Sequence, residues 1–283
     1  MRLALLGTGT MGAGMARAMH RAGLDVTVWN RTPAKAEPLA GEGIEVADSV
    51  TAAVTGADAV VTMLFDTGAV LGVTDEITAA LGPDTVWLQS STVGIHGIQR
   101  IAEKASGAPL LDAPVLGTKK PAEDGNLVAL VSGPDDLIDR ARPVLEAVAT
   151  KTVVAGPKIG QASALKLACN AWILSITAAT AQSVALATRL GLPGELFLGA
   201  IDGGPANSPY AQLKARAMLA GDFTASFGLD GGRKDLDLIT EAAWEAGVGT
   251  ALLDGVRAVF DAAAAKGHGE DDIAAVYTAL SGD

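Results

Sequence analysis

A chain of 283 residues, 49% apolar and 19% charged, can bury one large core or two moderate ones and is too apolar to be disordered. Its net charge of −11 repels polyanions, which argues against nucleic acid or an anionic membrane as partner. The single cysteine, Cys169, excludes an internal disulfide and fits a reducing compartment, so a cytoplasmic location is expected.

The first apolar run, in MRLALLGTGT, is too short for a signal peptide and passes straight into glycines. Strand patterns follow at 3–6 (LALL), 26–29 (VTVW), 44–46, 59–63 (AVVTM), 85–89 (TVWLQ), 110–113 (LLDA) and 127–132 (LVALVS). Helix-compatible stretches at 11–22, 33–41, 67–81 and 94–105 separate the earlier ones. Continuous apolar strands alternating with helices predict a parallel sheet covered on both faces, a doubly wound α/β domain. Beyond residue 160 the texture becomes helical throughout, with segments at 161–190, 193–202, 208–220, 231–246, 249–265 and 270–280. The expected organisation is therefore an α/β domain over 1–160 and an all-α domain over 161–283, divided near GPKIG at 156–160.

The run from Leu167 to Thr188 carries no charge and is long enough to span a bilayer. It also carries Asn170, Ser175, Thr177, Thr180, Gln182 and Ser183, and no aromatic pair brackets it, so it reads as a buried helix of a soluble protein.

Strand LALL runs directly into GTGTMGAGM, in which Gly7, Gly9 and Gly12 fit the G-x-G-x-x-G pattern between a strand and a helix. The first glycine permits a tight turn, the second lets backbone approach a pyrophosphate, and the third allows close helix–sheet packing. Thr10 and Met11 lie at the helix start that would face the anion. At the end of the next strand, an NAD site usually places an acid on the ribose 2′-hydroxyl. This chain offers Asn30, Arg31 and Thr32, with Lys35 close behind, a cluster suited to a 2′-phosphate and hence to NADP. The alternative is a solvated turn.

Lys166 and Asn170 stand four apart at the head of the uncharged helix and so share a face. Burial disfavours a charged lysine and brings it towards the range useful for proton transfer, as a hydride acceptor's carbonyl oxygen requires. The alternative is a lysine that reaches the surface from a helix start. His20, His96 and His268 are scattered without metal-ligand spacing, so no metal is expected.

Taken together, GTGTMGAGM, NRT, SST, DAPVLGTKKPAEDG, GQASALKLACN and GRKDLDL resemble the β-hydroxyacid dehydrogenases, and the resemblance runs on to the closing GHGEDDIAAVY. It implies a Rossmann domain followed by an all-α domain, with NADP and a small carbonyl substrate in the cleft between them. It further implies Lys166 as the proton donor and Asn170 as a substrate-holding residue. Ser91 and Thr92 would lie beside nicotinamide and substrate, Met63 and Leu64 against the cofactor, and Lys234 on the helical domain over both. A homodimer, or a dimer of dimers, built on the long helix is implied as well.

Two positions depart from the family. Where relatives carry Val-Ser-Gly to grip a substrate carboxylate, this chain reads Val115-Leu116-Gly117-Thr118, and Leu116 has no side-chain donor. Gly117 and Thr118 could supply backbone amides or a hydroxyl, or the substrate is less polar there. The second is Cys169, where an asparagine is common; it reads as a small buried side chain. Lys119 and Lys120 read as a solvated loop pair, and Asp112 as a structural strand end. Two rival functions remain: an imine reductase on the same fold, favoured by Leu116 but opposed by the retained Lys166, and a non-catalytic NADP-binding scaffold.

Overall fold

The computed structural model describes residues 1–282, which divide into one compact unit from Met1 to Lys166 and a second from Leu167 onward. In the first unit β1 (Arg2–Leu6) leads to α1 (Thr10–Arg21) and β2 (Asp25–Trp29). A 3-10 turn (Pro33–Lys35), α2 (Glu37–Ala40), β3 (Glu45–Val46), α3 (Val50–Val54) and β4 (Ala59–Thr62) follow. Next come α4 (Thr67–Ala80), β5 (Val86–Gln89), α5 (Gly94–Lys104), β6 (Leu110–Asp112), β7 (Val115–Leu116) and α6 (Lys119–Asp124). The unit closes with β8 (Leu127–Ser132), α7 (Asp135–Val148), β9 (Ala149–Gly156) and the start of α8 (Gln161–Arg189).

The sheet order is β3-β2-β1-β4-β5-β6-β8-β7, with β9 also paired to β8. Strands β1 to β6 are mutually parallel, and the chain winds outward from β1 through β2 to β3 before returning to β4 on β1's other side. That reversal makes β1/β4 the switch point, where such sheets open a crevice beyond the strand C-termini. Alternate residues of β1 serve opposite cores. Leu3 and Leu5 pack with Met15 and Met19 of α1 and Val144 of α7, while Ala4 and Leu6 pack with Ile77 of α4 and Ile98 of α5. The expected α/β fold with both faces covered is thus present.

Several local expectations need correction. The sheet is mixed: β6 meets β8 antiparallel and β7 meets β8 antiparallel, because β6 and β7 form one interrupted strand that β8 folds back along. The stretch 33–41 is no single helix. Pro33 and Pro38 each sit at a helix start, where a residue without an N–H belongs, and split it into a 3-10 turn and one turn of α2. Lys119 and Lys120 open α6 rather than a loop; Lys120 pairs with Asp124, and Gly125 ends the helix at φ +74°. The sequence reading left α7 and β9 unassigned. At the C-terminus, 270–280 is a 3-10 stretch, Ile273–Ala279, capped by Asp272.

In the second unit α8 continues into α9 (Gly194–Ile201), α10 (Pro209–Ala220), α11 (Leu229–Glu245) and α12 (Ala251–Ala265). The buried side chains of α8 in this unit are Leu167, Asn170, Leu174, Thr177, Ala178, Thr180, Ala181, Val184 and Ala185, one broad helical face. At Gly232 of α11 a Cβ would stand 2.8 Å from Phe260 and 3.2 Å from Leu174, so glycine permits that close crossing.

Polar order in this unit centres on a buried pair, Lys214 Nζ 2.5 Å from Asp272 Oδ1. Asp272 also accepts from the Ser226 hydroxyl (2.7 Å) and from the backbone N–H groups of Ser226, Phe227 and Ala274. Burial pushes its carboxyl up, but the Lys214 ammonium and these donors hold it below the usual carboxylate value. Such a group stabilises the fold above its unfolded pKa of about 3.9, and the contribution is lost as pH falls through the lower folded value. Asp272→Asn strands the buried ammonium and is expected to cost about 3–5 kcal/mol at neutral pH in urea denaturation. The gap from wild type should narrow below about pH 4; a gap that is constant with pH would disprove the ionic origin.

Candidate active site

Backbone register fixes which loops meet at the sheet's C-terminal edge. Gly7 follows β1 at φ +107°, and a Cβ there would lie 2.3 Å from the Met63 carbonyl oxygen. Gly7 therefore closes the switch point against the loop after β4. At Gly12 a Cβ would stand 1.9 Å from the Gly7 oxygen, so α1 can begin only by passing this close to the turn. Gly9, by contrast, has open space over its Cα: nothing lies within 4 Å of a Cβ placed there. The three glycines thus divide into two that let backbone meet backbone and one that leaves room for a ligand.

The Ala13 N–H finds the Gly9 oxygen at 2.9 Å, which leaves the earlier N–H groups, of Thr10, Met11 and Gly12, beyond the reach of helical acceptors. Beside them the Thr8 hydroxyl is buried with no hydrogen-bond partner among the described residues. A pyrophosphate satisfies this whole donor set, so the residues present fit a dinucleotide. Asn30, expected at the cofactor, is tied into the glycine turn. Its Oδ1 accepts from the Thr8 N–H at 3.0 Å and its Nδ2 donates to the Thr32 oxygen at 2.9 Å, so it braces the glycine turn. Arg31, Thr32 and Lys35 are exposed after β2, open to a 2′-phosphate.

Beneath these loops runs a buried polar row. Thr62, Gln89, Asp112 and Ser132 are neighbours in register across β4, β5, β6 and β8, and none is exposed to solvent. The Trp87 indole donates to Thr62 Oγ1, which in turn donates to Gln89 Oε1. Gln89 accepts from the Ser91 N–H and donates to the Ser91 oxygen, both at 2.9 Å. The Ser91 hydroxyl then accepts from the Leu64 N–H at 2.8 Å, locking the β5 loop to the β4 loop. Ser91, expected beside the ligand, braces these two loops, and Thr92 after it is half-buried. Met63 and Leu64 are half-buried and pack against opposite cores.

The same row receives α8. Asp112 Oδ2 accepts from the N–H groups of Gly160 (3.1 Å) and Ser163 (2.8 Å), and Oδ1 accepts from the Ser163 hydroxyl at 2.8 Å. Ser132 donates to Asp112 and accepts from the Ala162 N–H at 2.9 Å. Burial pushes the Asp112 carboxyl above its usual value, against the pull of these bonds. Lys166, half-buried, follows Ser163 by three residues on the same face.

Asn170 is one turn further on. Its Nδ2 donates to Asp235 Oδ2 at 2.6 Å, and Asp235 Oδ1 lies 2.8 Å from Lys234 Nζ. Asn170 and Lys234 thus share one buried carboxylate that the sequence reading overlooked; the signal was Asp235's position directly after a lysine already singled out. Thr8 was also missed. Leu116 pairs with Val128 at the sheet margin, and Gly117 at φ +132° places its Cα against Leu127 and Pro121. Thr118 is half-buried at the N-cap of α6.

A family model described as the NAD binding domain of 6-phosphogluconate dehydrogenase matches residues 2–156. One described as the NAD-binding of NADP-dependent 3-hydroxyisobutyrate dehydrogenase matches residues 160–280. Glyoxylate/succinic semialdehyde reductase 2, chloroplastic, of Arabidopsis thaliana is 31% identical over 98% of this chain and 79% of its own length. The solved Mycobacterium tuberculosis 3-hydroxyisobutyrate dehydrogenase with L-serine is 30% identical, with a TM-score of 0.87 over 99% of this chain and 98% of that one. An imine reductase from Myxococcus stipitatus in complex with NADP+ is 26% identical, with a TM-score of 0.67 over 99% of both chains.

The lock between the β4 and β5 loops has a measurable cost of removal. Gln89→Leu leaves the Ser91 N–H and carbonyl buried without partners, at about 1–3 kcal/mol each, so a loss of about 2–6 kcal/mol is expected on chemical denaturation. Unchanged stability would mean that the amide does not hold the loop.

Proposed function

The chain belongs to the β-hydroxyacid dehydrogenase family and is an NAD(P)-dependent oxidoreductase acting on CH–OH groups, and within that class we propose an NADP-linked interconversion of a small acid semialdehyde and its hydroxy acid, with Lys166 as general acid and base. The observation that carries this reading is one face of α8. Ser163, tied to Asp112, Lys166, and Asn170, tied to Asp235, follow one another at helical spacing. The helix thus offers a proton donor whose two flanking turns are each fixed by a buried carboxylate.

The dinucleotide would be held by the Thr8 hydroxyl and the N–H groups of Thr10, Met11 and Gly12, with Arg31 and Lys35 on a 2′-phosphate. When bound, it supplies hydride to the carbonyl carbon or takes it from the alcohol. Lys166 hands a proton to the carbonyl oxygen on reduction and recovers it on oxidation. One Nδ2 hydrogen of Asn170 goes to Asp235, which leaves its Oδ1 to accept from the ammonium or a substrate hydroxyl and its second N–H to donate to a substrate oxygen. Leu116 supports a second reading, reduction of an imine, since its side chain gives a carboxylate no donor.

The test is consumption of NADPH, with NADH in parallel, on a panel of glyoxylate, succinic semialdehyde, methylmalonate semialdehyde, apolar aldehydes and a cyclic imine. Turnover of an acid semialdehyde with NADPH is expected, and Lys166→Ala should lower kcat about 10²–10⁴-fold without weakening NADPH binding. Arg31→Ala should remove most of the margin of NADPH over NADH. Activity confined to the imine, or intact in Lys166→Ala, would overturn the proposal. Exposed apolar side chains at Trp172, Leu186, Leu190 and Leu196 support a homodimer covering this side of α8 and α9, for which light scattering should give twice the chain mass.

A further inference from the structure

We propose that Asp112 is a positioning residue for Lys166: its carboxylate seats the first turn of α8 on the sheet and thereby sets the height and rotation of the lysine one turn on. The proposal rests on the reading of Lys166 as proton donor.

A helix start usually caps itself with Ser, Thr, Asp or Asn at its own N-cap. Here the residue before α8 is Gly160, which has no side chain to give. Donors of the first turn instead find acceptors across the fold. Gly160 and Ser163 reach Asp112, respectively 48 and 51 residues upstream, and Ala162 reaches Ser132, 30 residues upstream. These acceptors face each other across the β6/β8 ladder, so the helix is referenced to a strand pair in addition to its own loop, which Gln161 meets at Lys158.

Asp112 is also the register neighbour of Gln89, whose amide holds Ser91 and, through it, Leu64. One row of strand residues therefore fixes both the helix carrying Lys166 and two of the loops at the switch point. Three donors fix two different things. The two N–H groups meeting Oδ2 set how far the helix stands above the strand end, and the Ser163 hydroxyl on Oδ1 sets its rotation. Ser163 and Lys166 share a face, so rotation at one is rotation at the other. All the groups that meet Asp112, Ser132 included, are donors, which suits an acceptor-only carboxylate; an amide in its place would turn an NH₂ towards an N–H or a hydroxyl.

The experiment compares Asp112→Asn and Ser163→Ala with wild type in NADPH titration, steady-state kinetics on the best panel substrate, and amide hydrogen exchange. In Asp112→Asn, kcat should fall about 10- to 100-fold, as displacement on the order of 1 Å does, with KM and NADPH affinity little changed. Ser163→Ala should fall less in the same direction, and in both variants exchange should quicken at 160–166 while β1 to β5 stay protected. Intact kcat in a folded Asp112→Asn would overturn the proposal. So would joint worsening of kcat, KM and NADPH affinity in step with lost thermal stability, which marks a merely structural role. If Asp112→Asn does not fold, Ser163→Ala alone decides. If wild type turns over nothing on the panel, the Lys166 reading fails by itself; exchange at 160–166 unchanged by either substitution would then still refute the anchoring.

Discussion

The row Thr62–Gln89–Asp112–Ser132 is the constraint on which the first unit's functional edge depends. Four polar side chains lie side by side in strands that are otherwise apolar, all fully buried. A buried polar group left unpaired costs about 1–3 kcal/mol, so the row is tolerable only with every member satisfied. Satisfaction comes from groups that must then be in fixed places: the Trp87 indole, both backbone groups of Ser91, and the first turn of α8. The cost of burying polar groups is thereby converted into placement of two loops and a helix. An apolar row would pack equally well and would leave all three free to shift.

The glycine turn works by the opposite principle. There the N–H groups of Thr10, Met11 and Gly12 lie beyond helical acceptors and the Thr8 hydroxyl has no partner among the described residues, while the side chain nearest to hand, Asn30, is turned towards Thr8's N–H and Thr32's carbonyl. A donor set held in place but unsatisfied recognises an anion, since the ligand supplies what the fold withholds. Satisfied rows below and open donors above are two halves of one arrangement. The former removes freedom from the loops, and the latter gives those fixed loops an appetite for phosphate.

How much of this was legible in the sequence depended on range. The β1–glycine–α1 unit could be read because its cause is local: a buried strand, a positive-φ glycine and a helix start within fifteen residues. The face shared by Lys166 and Asn170 was local too. Asp112 could be recognised as a strand end but not as an anchor, because its partners lie 48–51 residues away. Likewise Asn170 and Asp235 are 65 residues apart, and nothing in either segment announces the other. Short range failed where two signals competed. At 119–124 two lysines and a proline read as loop, yet Thr118 and Gly125 bracket one helical turn; at 33–41 an apparent helix is divided by prolines. β8 reads as one more parallel strand in isolation, and only its pairing with β6 and β7 reveals the reversal.

The placement of Lys166 also follows from these constraints. By length and composition α8 could cross a membrane, and its long uncharged run is the reason. What it buries, however, is one face, which includes Leu167, Asn170, Leu174, Thr177, Ala178, Thr180, Ala181, Val184 and Ala185, while Trp172 and Leu186 remain exposed on its other side. A lipid-spanning helix would have no use for an N-terminus satisfied by Asp112 and Ser132, nor for an asparagine bound to a buried aspartate. The lysine sits at the last position before the uncharged run begins, where the helix has just left a carboxylate-bound first turn and the stripe has not yet closed. One residue earlier on this face is Ser163, spent on the anchor; one later is Asn170, spent on Asp235. Lys166 therefore stands between two committed neighbours, and the backbone that carries it is fixed in the turn before by Asp112 and in the turn after by Asp235.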